Sequence, residues 1–451
     1  MFSLAVPVVF AELGWMAMGI VDTLMVGRIG PEAIGAVGVG TSLFMGVVIV
    51  AMGVLLGLDT LVSHAFGAGR LLDCHRWLLH GCVLVGVVSL PLTWMLWLVA
   101  GWLDAWGLDP RVLEPTRSYL GAVTWSVVPL LLYTAFRRYL QGMGVVRPIM
   151  MALLTANVAN VILNWMLIFG NLGAPALGVT GAAWATVGSR VVMAGFLLLV
   201  IAHRERGLQP GLLQTPLRVD LSWMRRLLVL GSPAALQITL EVGVFAAATA
   251  LAGRLVPAAL AAHQIALNVA AFAFMVPFGV SSAGAVRVGH AVGRVDPHAA
   301  SRAGWTALLF GVGFMTLAAL TFVTIPSLLI SAFTTDPRVL DIGVSLLLVA
   351  AVFQMFDGLQ VVATGVLRGL GDTRTPMLWN LAGHWLIGLP LGYTLCFNVG
   401  FGVVGLWWGL STGLIICGIA LLAVWRQRIH ALVAKDTTVD SRKSIVGSRS
   451  R

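Results

Sequence analysis

The sequence predicts an all-α polytopic membrane protein: twelve transmembrane helices in two parallel six-helix repeats. Three observations lead there. Of 451 residues, 59% are hydrophobic and 10% charged, against about 25% charged in soluble domains. Apolar runs of about 20 residues, the length that crosses a bilayer, recur along the chain. The first half also matches the second under one nearly constant shift.

The expected spans are 4–26, 33–57, 77–101, 117–136, 149–169, 179–202, 227–252, 258–283, 304–331, 341–365, 377–399 and 403–425. Gly, Pro and charge clusters bound them. A segment in lipid must satisfy its own backbone hydrogen bonds, so at this length helices are the expectation. Residues 1–26 lack the basic n-region of a cleavable signal, and their apolar run continues too long for one. A short basic leader is expected before the present start.

Four parts follow. Residues 1–202 form an N-terminal lobe, 203–226 a cytoplasmic linker, 227–425 a C-terminal lobe, and 426–451 a cytoplasmic tail, polar, Ser-rich and expected to be disordered. A shift of 226 positions pairs Pro7 with Pro233, Thr23 with Thr249, Gly27-Arg28 with Gly253-Arg254 and Pro31 with Pro257. It also pairs Gly53 with Gly279, His64 with His290 and Gly67 with Gly293. A shift of 227 brings Gly144 and Arg147 onto Gly371 and Arg374. Six spans is an even number, so the halves run parallel. Transporters built that way hold their site between the halves and expose it alternately.

The net charge of +10 does not point to nucleic acid. The basic residues fall in short connections, as cytoplasmic loops require. Of 28 Lys and Arg residues, Arg28, Arg111, Arg117, Arg254 and Arg338 alone fall on the opposite side, and Arg190 lies within span six. Both termini are therefore expected in the cytoplasm, with the protein in the plasma (inner) membrane. Cys74, Cys82, Cys396 and Cys417 have no metal-ligand spacing and read as small apolar residues. Walker A, H-E-x-x-H and G-x-S-x-G motifs are missing in suitable contexts. No enzyme activity and no cofactor are expected, so energy must come from an ion gradient.

Acids inside spans carry the chemistry. A carboxylate in a bilayer costs at least a few kcal/mol and marks a wet cavity, a partner or a substrate. Desolvation favours the neutral carboxyl, so such a group can exchange a bound proton for a bound cation. Glu241 shares a helix face with Gln237 and Phe245. Asp357 has Gln354 and Gln360 at helical spacing, with Phe353 and Phe356 beside it. Amide oxygens and aromatic rings around an acid suit an organic cation. The bland alternative for each acid is a structural carboxylate bonded to a neighbouring helix.

Asp22 lies in the outer half of span one. Asn160 and Asn164 share a face of span five, placed either to bond an acid of the first half or to join helices. The repeat mate of Asp22 is Ala248 and that of Glu241 is Trp15, so the acids do not follow the duplication. Glu12 reads as structural or gating. Asp59 and His64, beside the Gly-rich SHAFGAGR, read as loop anchors. Arg190 either snorkels or pairs with an acid.

The chain resembles the multidrug and toxic compound extrusion (MATE) family over about residues 4–425. The resemblance rests on VDTLMVGRIGPEAIGAVGVG, LVSHAFGAGR, YLQGMGVVRPIM and LNWMLIFGNLGAPALGVTGAAWAT in the first half. LEVGVFAAATALAGRL, AAHQIALNVAAFAFMVPFGVSSAGAVRVGHAVG and DGLQVVATGVLRGLGDTRTP carry it in the second. It implies a V-shaped pair of lobes and efflux of small organic cations, coupled to H+ or Na+. It matches Asp22, Glu241 and Asp357 to the family's functional acids. Glu241 with Asp357 points to the NorM-like branch and to Na+ as one ion these two acids would hold. Phe353 offers no oxygen where some sodium-using relatives carry Tyr, which weakens a full sodium shell. A monomer in the lipid bilayer is the expected working unit.

Two alternatives remain. A flippase for lipid-linked precursors would put Arg or Lys, not acids, in its cavity. A membrane-embedded lipid-modifying enzyme would need clustered His, Asp or Ser.

Overall fold

The computed structural model describes residues 2–107, 109–206 and 218–449, with side chains described from Ser3 to Lys435. The described chain is helical throughout. Its helices are α1 (Phe2–Val26), α2 (Pro31–Leu55), α3 (Gly57–Gly67), α4 (Leu71–Gly101), α5 (Pro110–Val123), α6 (Val127–Gly142), α7 (Arg147–Phe169) and α8 (Val179–Glu205). Then come α9 (Leu221–Ala252), α10 (Pro257–Gly293), α11 (Pro297–Thr324), α12 (Pro326–Ser331), α13 (Pro337–Gly369), α14 (Arg374–Asn380), α15 (Leu389–Tyr393) and α16 (Gly402–Arg449).

Among the described residues, eleven helical segments are long and apolar enough to cross a membrane. The expected span 377–399 is covered by α14, a π-helical stretch Leu381–Gly388, α15 and a second π stretch Thr394–Asn398. Large apolar side chains stay exposed on outward faces, such as Leu90 at 74%, Leu309 at 73% and Leu199 at 71%. In water such faces would aggregate; a bilayer solvates them. The protein is an all-helical integral membrane protein.

Several boundaries differ from expectation. Span two continues into α3, so Asp59 and His64 lie on a helix and not in a loop. Asp59 is buried against an arginine, and a charge matched in this way does not end a helix as a bare one would. Span nine splits at Ile325, because Pro326 cannot continue the ladder of α11. Of the linker 203–226, residues 207–217 lie outside the described residues. The backbone of α16 runs to Arg449 through the segment read as a disordered tail. That segment has no Gly or Pro before Gly447 to stop it.

The chain divides into two compact units. One holds Phe10–Phe66 and Arg70–Ala235. In it α7 packs on α8, α2 on α5, and α6 on both α4 and α8. Its core includes Phe44, Leu58, Tyr133 and Tyr139. The other holds Met1–Val9, Gly67–Gly69 and Leu236–Arg451. Here α13 lies among α10, α11 and α16. Leu346, Leu347, Phe353, Trp407 and Leu414 fill its core.

The division does not fall at the linker, because the N-terminal segments of α1 and α9, up to Val9 and Ala235, belong with the other half of the chain. The chain changes unit after Val9 and after Ala235. These positions lie two residues past Pro7 and Pro233, where each helix lacks one backbone donor. Repeated glycines make room for the exchanged segments. A Cβ on Gly53 would strike the Ala235 backbone, and one on Gly279 would lie 3.0 Å from the Val9 backbone. A similar fit joins α16 to the π-containing run. Gly405, Gly409 and Gly413 face backbone of the 383–396 segment, including Gly383, Gly388 and Gly392. Small residues allow such close approach where lipid gives no hydrophobic drive.

Replacing Gly279 by Val should therefore lower the midpoint of thermal unfolding in detergent, with an overpacking cost of about 1–3 kcal/mol. Gly313 on α11 has open space around it, and Gly313→Val should leave the midpoint near the parent's. Equal midpoints for the two variants would contradict the packing described.

Candidate functional site

In the first unit, Asp22 of α1 is buried and its carboxylate is bonded by protein donors. Its Oδ1 accepts from Asn164 Nδ2 at 2.6 Å and Asn160 Nδ2 at 3.0 Å. Its Oδ2 accepts from Thr186 Oγ1 at 3.2 Å. Asn160 and Asn164 reach it together because they sit one turn apart on α7, and they bond each other at 3.1 Å. Arg190, one turn beyond Thr186 on α8, lies within electrostatic reach of Asp22. It does not snorkel. It is buried, donates to Ser126 Oγ, and holds its guanidinium 4.6 Å from the centre of the Phe44 ring. A cation over an aromatic face is stabilised by the ring quadrupole.

Two further acids of this unit are ion-paired. Arg137 Nη2 donates to Glu12 Oε1, and Arg138 Nη1 donates to Asp59 Oδ2 at 3.1 Å. All four side chains are buried. Neighbouring residues on a helix point about 100° apart, so α6 reaches α1 with one arginine and α3 with the next. The positive-charge count above placed Arg137 and Arg138 in an inside loop. They lie instead within α6. Hydropathy cannot distinguish a loop charge from a buried matched one.

In the second unit, Glu241 of α9 lies within electrostatic reach of Asp357 of α13. Glu241 is half-buried and Asp357 is 9% exposed. Gln237, Gln360 and Asn380 lie against the Glu241 carboxyl. Asn380 comes from α14 and was not singled out in the sequence. A lone Asn in an apolar run is the signal that marks it. Trp385, in the first π stretch, donates its indole N–H to Leu240 O at 2.9 Å and so ties that stretch to the turn bearing Glu241. π-turns often occur at functional sites.

Among the described residues no Lys or Arg forms an ion pair with Glu241 or Asp357. Gln354, one turn before Asp357, is buried with neither of its side-chain polar atoms hydrogen-bonded, and Gln360 Oε1 also has no partner. Such groups are normally satisfied by water or a ligand. The aromatic residues separate. Phe245 and Phe356 are half-buried, whereas Phe353 is in the core with its ring 6.0 Å from that of Trp407. Phe353 therefore packs inside the unit, unlike the cargo-facing ring expected of it. The oxygens at the site are carboxylate and amide, the hard donors that suit Na+. No group of three His, Cys, Asp or Glu gathers to hold a metal among the described residues.

The MatE family matches residues 7–166 and again 233–394, in the register of the internal repeat. A protein named probable multidrug resistance protein NorM, from Mesorhizobium japonicum (strain LMG 29417 / CECT 9101 / MAFF 303099), is 37% identical over 433 residues, covering 94% of this chain and 93% of its own. The fold is that of a solved multidrug resistance MATE family transporter of the MOP superfamily in an outward-facing conformation. That match has a TM-score of 0.87 at 19% identity over 96% of both chains. A MOP superfamily transporter from Pyrococcus furiosus Vc1, whose binding pocket is described as reversed in polarity, matches with a TM-score of 0.87 at 19% identity over 95% of both.

The paired charges of the first unit lead to a stability test. Arg137→Met leaves Glu12 buried without a cation and should destabilise by about 3–5 kcal/mol. Adding Glu12→Gln should restore most of the thermal midpoint. A double variant as unstable as the single would show that the pair does not act as a unit.

Proposed function

The chain belongs to the MatE family of transporters, and from that premise we propose that it exports small organic cations, multidrug efflux, in exchange for H+ or Na+. The observation that carries the reading is the uncompensated negative charge of Glu241 and Asp357. The other acids buried in the described spans have a basic side chain on them or within electrostatic reach. These two have amides and each other.

Two carboxylates within electrostatic reach repel when both are ionised, so the site gains from any cation that enters. An organic cation adds apolar area and contact with Phe245 and Phe356. A proton or Na+ supplies charge alone. Cargo and coupling ion therefore compete for one site, and each turnover exchanges one for the other. One-for-one exchange of monovalent cations moves no net charge, so the concentration gradient of the coupling ion drives it, and each tenfold of that gradient supplies about 1.4 kcal/mol, enough for a tenfold cargo ratio. A cargo with a phosphate head would meet repulsion here, which favours cations over lipid-linked precursors. The relatives named for multidrug resistance support the same cargo class.

Asp22 sits in a site of different character, already bonded by three donors, and we assign it an ion-coupling role within its own unit. The excess of Lys and Arg in the loops of one side supports cytoplasmic termini, and the reading takes the protein as a monomer in the inner membrane. A reporter fused to the C-terminus should be active in a form that works only in the cytoplasm.

Asp357→Asn and Glu241→Gln should each reduce ethidium efflux from cells at least about tenfold while membrane insertion is retained. Parental efflux in either variant would overturn the site. Inside-out vesicles with an imposed proton gradient or sodium gradient, tested separately, should accumulate cargo with one of them. Uptake driven by neither would overturn ion exchange.

A further inference from the structure

His263 of α10 is completely buried in the second unit, and neither acid uses it. Both ring nitrogens are engaged. Trp407 Nε1 of α16 donates to His263 Nδ1 at 2.9 Å. His263 Nε2 lies 3.0 Å from Thr249 Oγ1 of α9, and that hydroxyl donates to Phe245 O at 2.9 Å. An indole N–H is a donor with no acceptor capacity, so Nδ1 must be the acceptor and the ring proton sits on Nε2. The Thr249 hydroxyl has its own proton committed to Phe245 and therefore accepts from Nε2–H. Each donor in the chain has one acceptor. A proton added at Nδ1 would set two donors face to face.

The chain ends on the two turns that matter. Phe245 is one turn after Glu241. Trp407 packs its ring on Phe353, which is one turn before Asp357. One imidazole thus joins α9, α10 and α16 directly, and α13 through an aromatic contact. In the repeat, Thr249 corresponds to Thr23, which makes the same back-bond, to Gly19 O at 2.9 Å. His263 corresponds to Val37, and Trp407 corresponds to Ala183 at the local shift of 224 that pairs Gly178 and Gly181 with Gly402 and Gly405. The brace is confined to the half that carries the acid pair.

We propose that His263 is a positioning residue for the Glu241–Asp357 site, acting through Thr249 and Trp407 to fix the turns that present Phe245 and Asp357 to an aromatic organic cation. The inference rests on the transport reading above. It gives the site a part of its selectivity: flat aromatic cations depend on the brace, whereas a small aliphatic ammonium does not.

The test is efflux kinetics of His263→Leu, Thr249→Val and Thr249→Ser, with ethidium and tetramethylammonium as cargo. His263→Leu and Thr249→Val should each raise the apparent KM for ethidium about tenfold, the effect of orphaning one buried donor or acceptor. Maximal rate per inserted molecule and the KM for tetramethylammonium should change little. Thr249→Ser keeps the hydroxyl and should behave as the parent. His263→Leu combined with Trp407→Phe should be no worse than His263→Leu alone. Unchanged ethidium KM in Thr249→Val, or an equal rise for both cargoes, would overturn the proposal even if His263→Leu fails to fold. Efflux by the parent, measured alongside, separates failure of the transport reading from failure of this one. 15N-histidine NMR of the purified protein tests the brace without transport. It should find His263 protonated at Nε2, and protonation at Nδ1 would overturn the network.

Discussion

A carboxylate buried between apolar helices must have its charge answered. Water answers it at a surface, but inside a bilayer the protein or a ligand has to. That one requirement sorts the buried acids of the described spans. Glu12 and Asp59 are answered by Arg137 and Arg138. Asp22 is answered by amide and hydroxyl donors, with Arg190 in reach. Glu241 and Asp357 have no such cation, and beside them Gln354 and Gln360 Oε1 are left unpartnered. The same physical cost that makes the first group scaffold would draw mobile cations to the last, as the proposed exchange requires.

The duplicated frame lets this difference arise. Gly53 and Gly279 occupy equivalent positions and do the same work, each admitting the N-terminal part of a helix, α9 at Ala235 or α1 at Val9. Pro7 and Pro233 lie at the same distance from the point of exchange. Scaffold positions kept their residues in both halves because their backbone contacts recur. Polar positions diverged. Charge in the first half is matched internally, and the second half carries the open acid pair with its own His263–Trp407 brace. Since the fold also accommodates a transporter described as having a pocket of reversed polarity, cargo class must be argued from these side chains and not from the fold.

Much of this was legible in the sequence because a membrane makes polar residues conspicuous. Glu241, Asp357 and Asp22 stood out as acids in apolar runs, and Asn160 with Asn164 stood out by helical spacing. Their partners did not. That Asn380 would lie against Glu241, or Thr186 against Asp22, depends on helices far apart in sequence. Arg137, Arg138 and Asp59 were misread because hydropathy counts charge without seeing its match. Phe353 was assigned to the cargo face by proximity to Asp357, yet residues four apart on a broad helix face can divide between core and cavity. The exchange of the N-terminal segments of α1 and α9 left a trace in the repeated prolines and glycines, but only packing reveals its meaning.

Competition between cargo and coupling ion for Glu241 and Asp357 is the core of the proposed cycle. Its most direct test is the affinity of the purified protein for an organic cation, measured by fluorescence polarisation across pH and sodium concentration. If the two compete, binding should weaken as pH falls or as sodium rises, approaching about tenfold per pH unit for exchange of one proton. The Glu241→Gln, Asp357→Asn double variant should bind weakly and lose that dependence. An affinity in the parent that is independent of both pH and sodium would contradict the account.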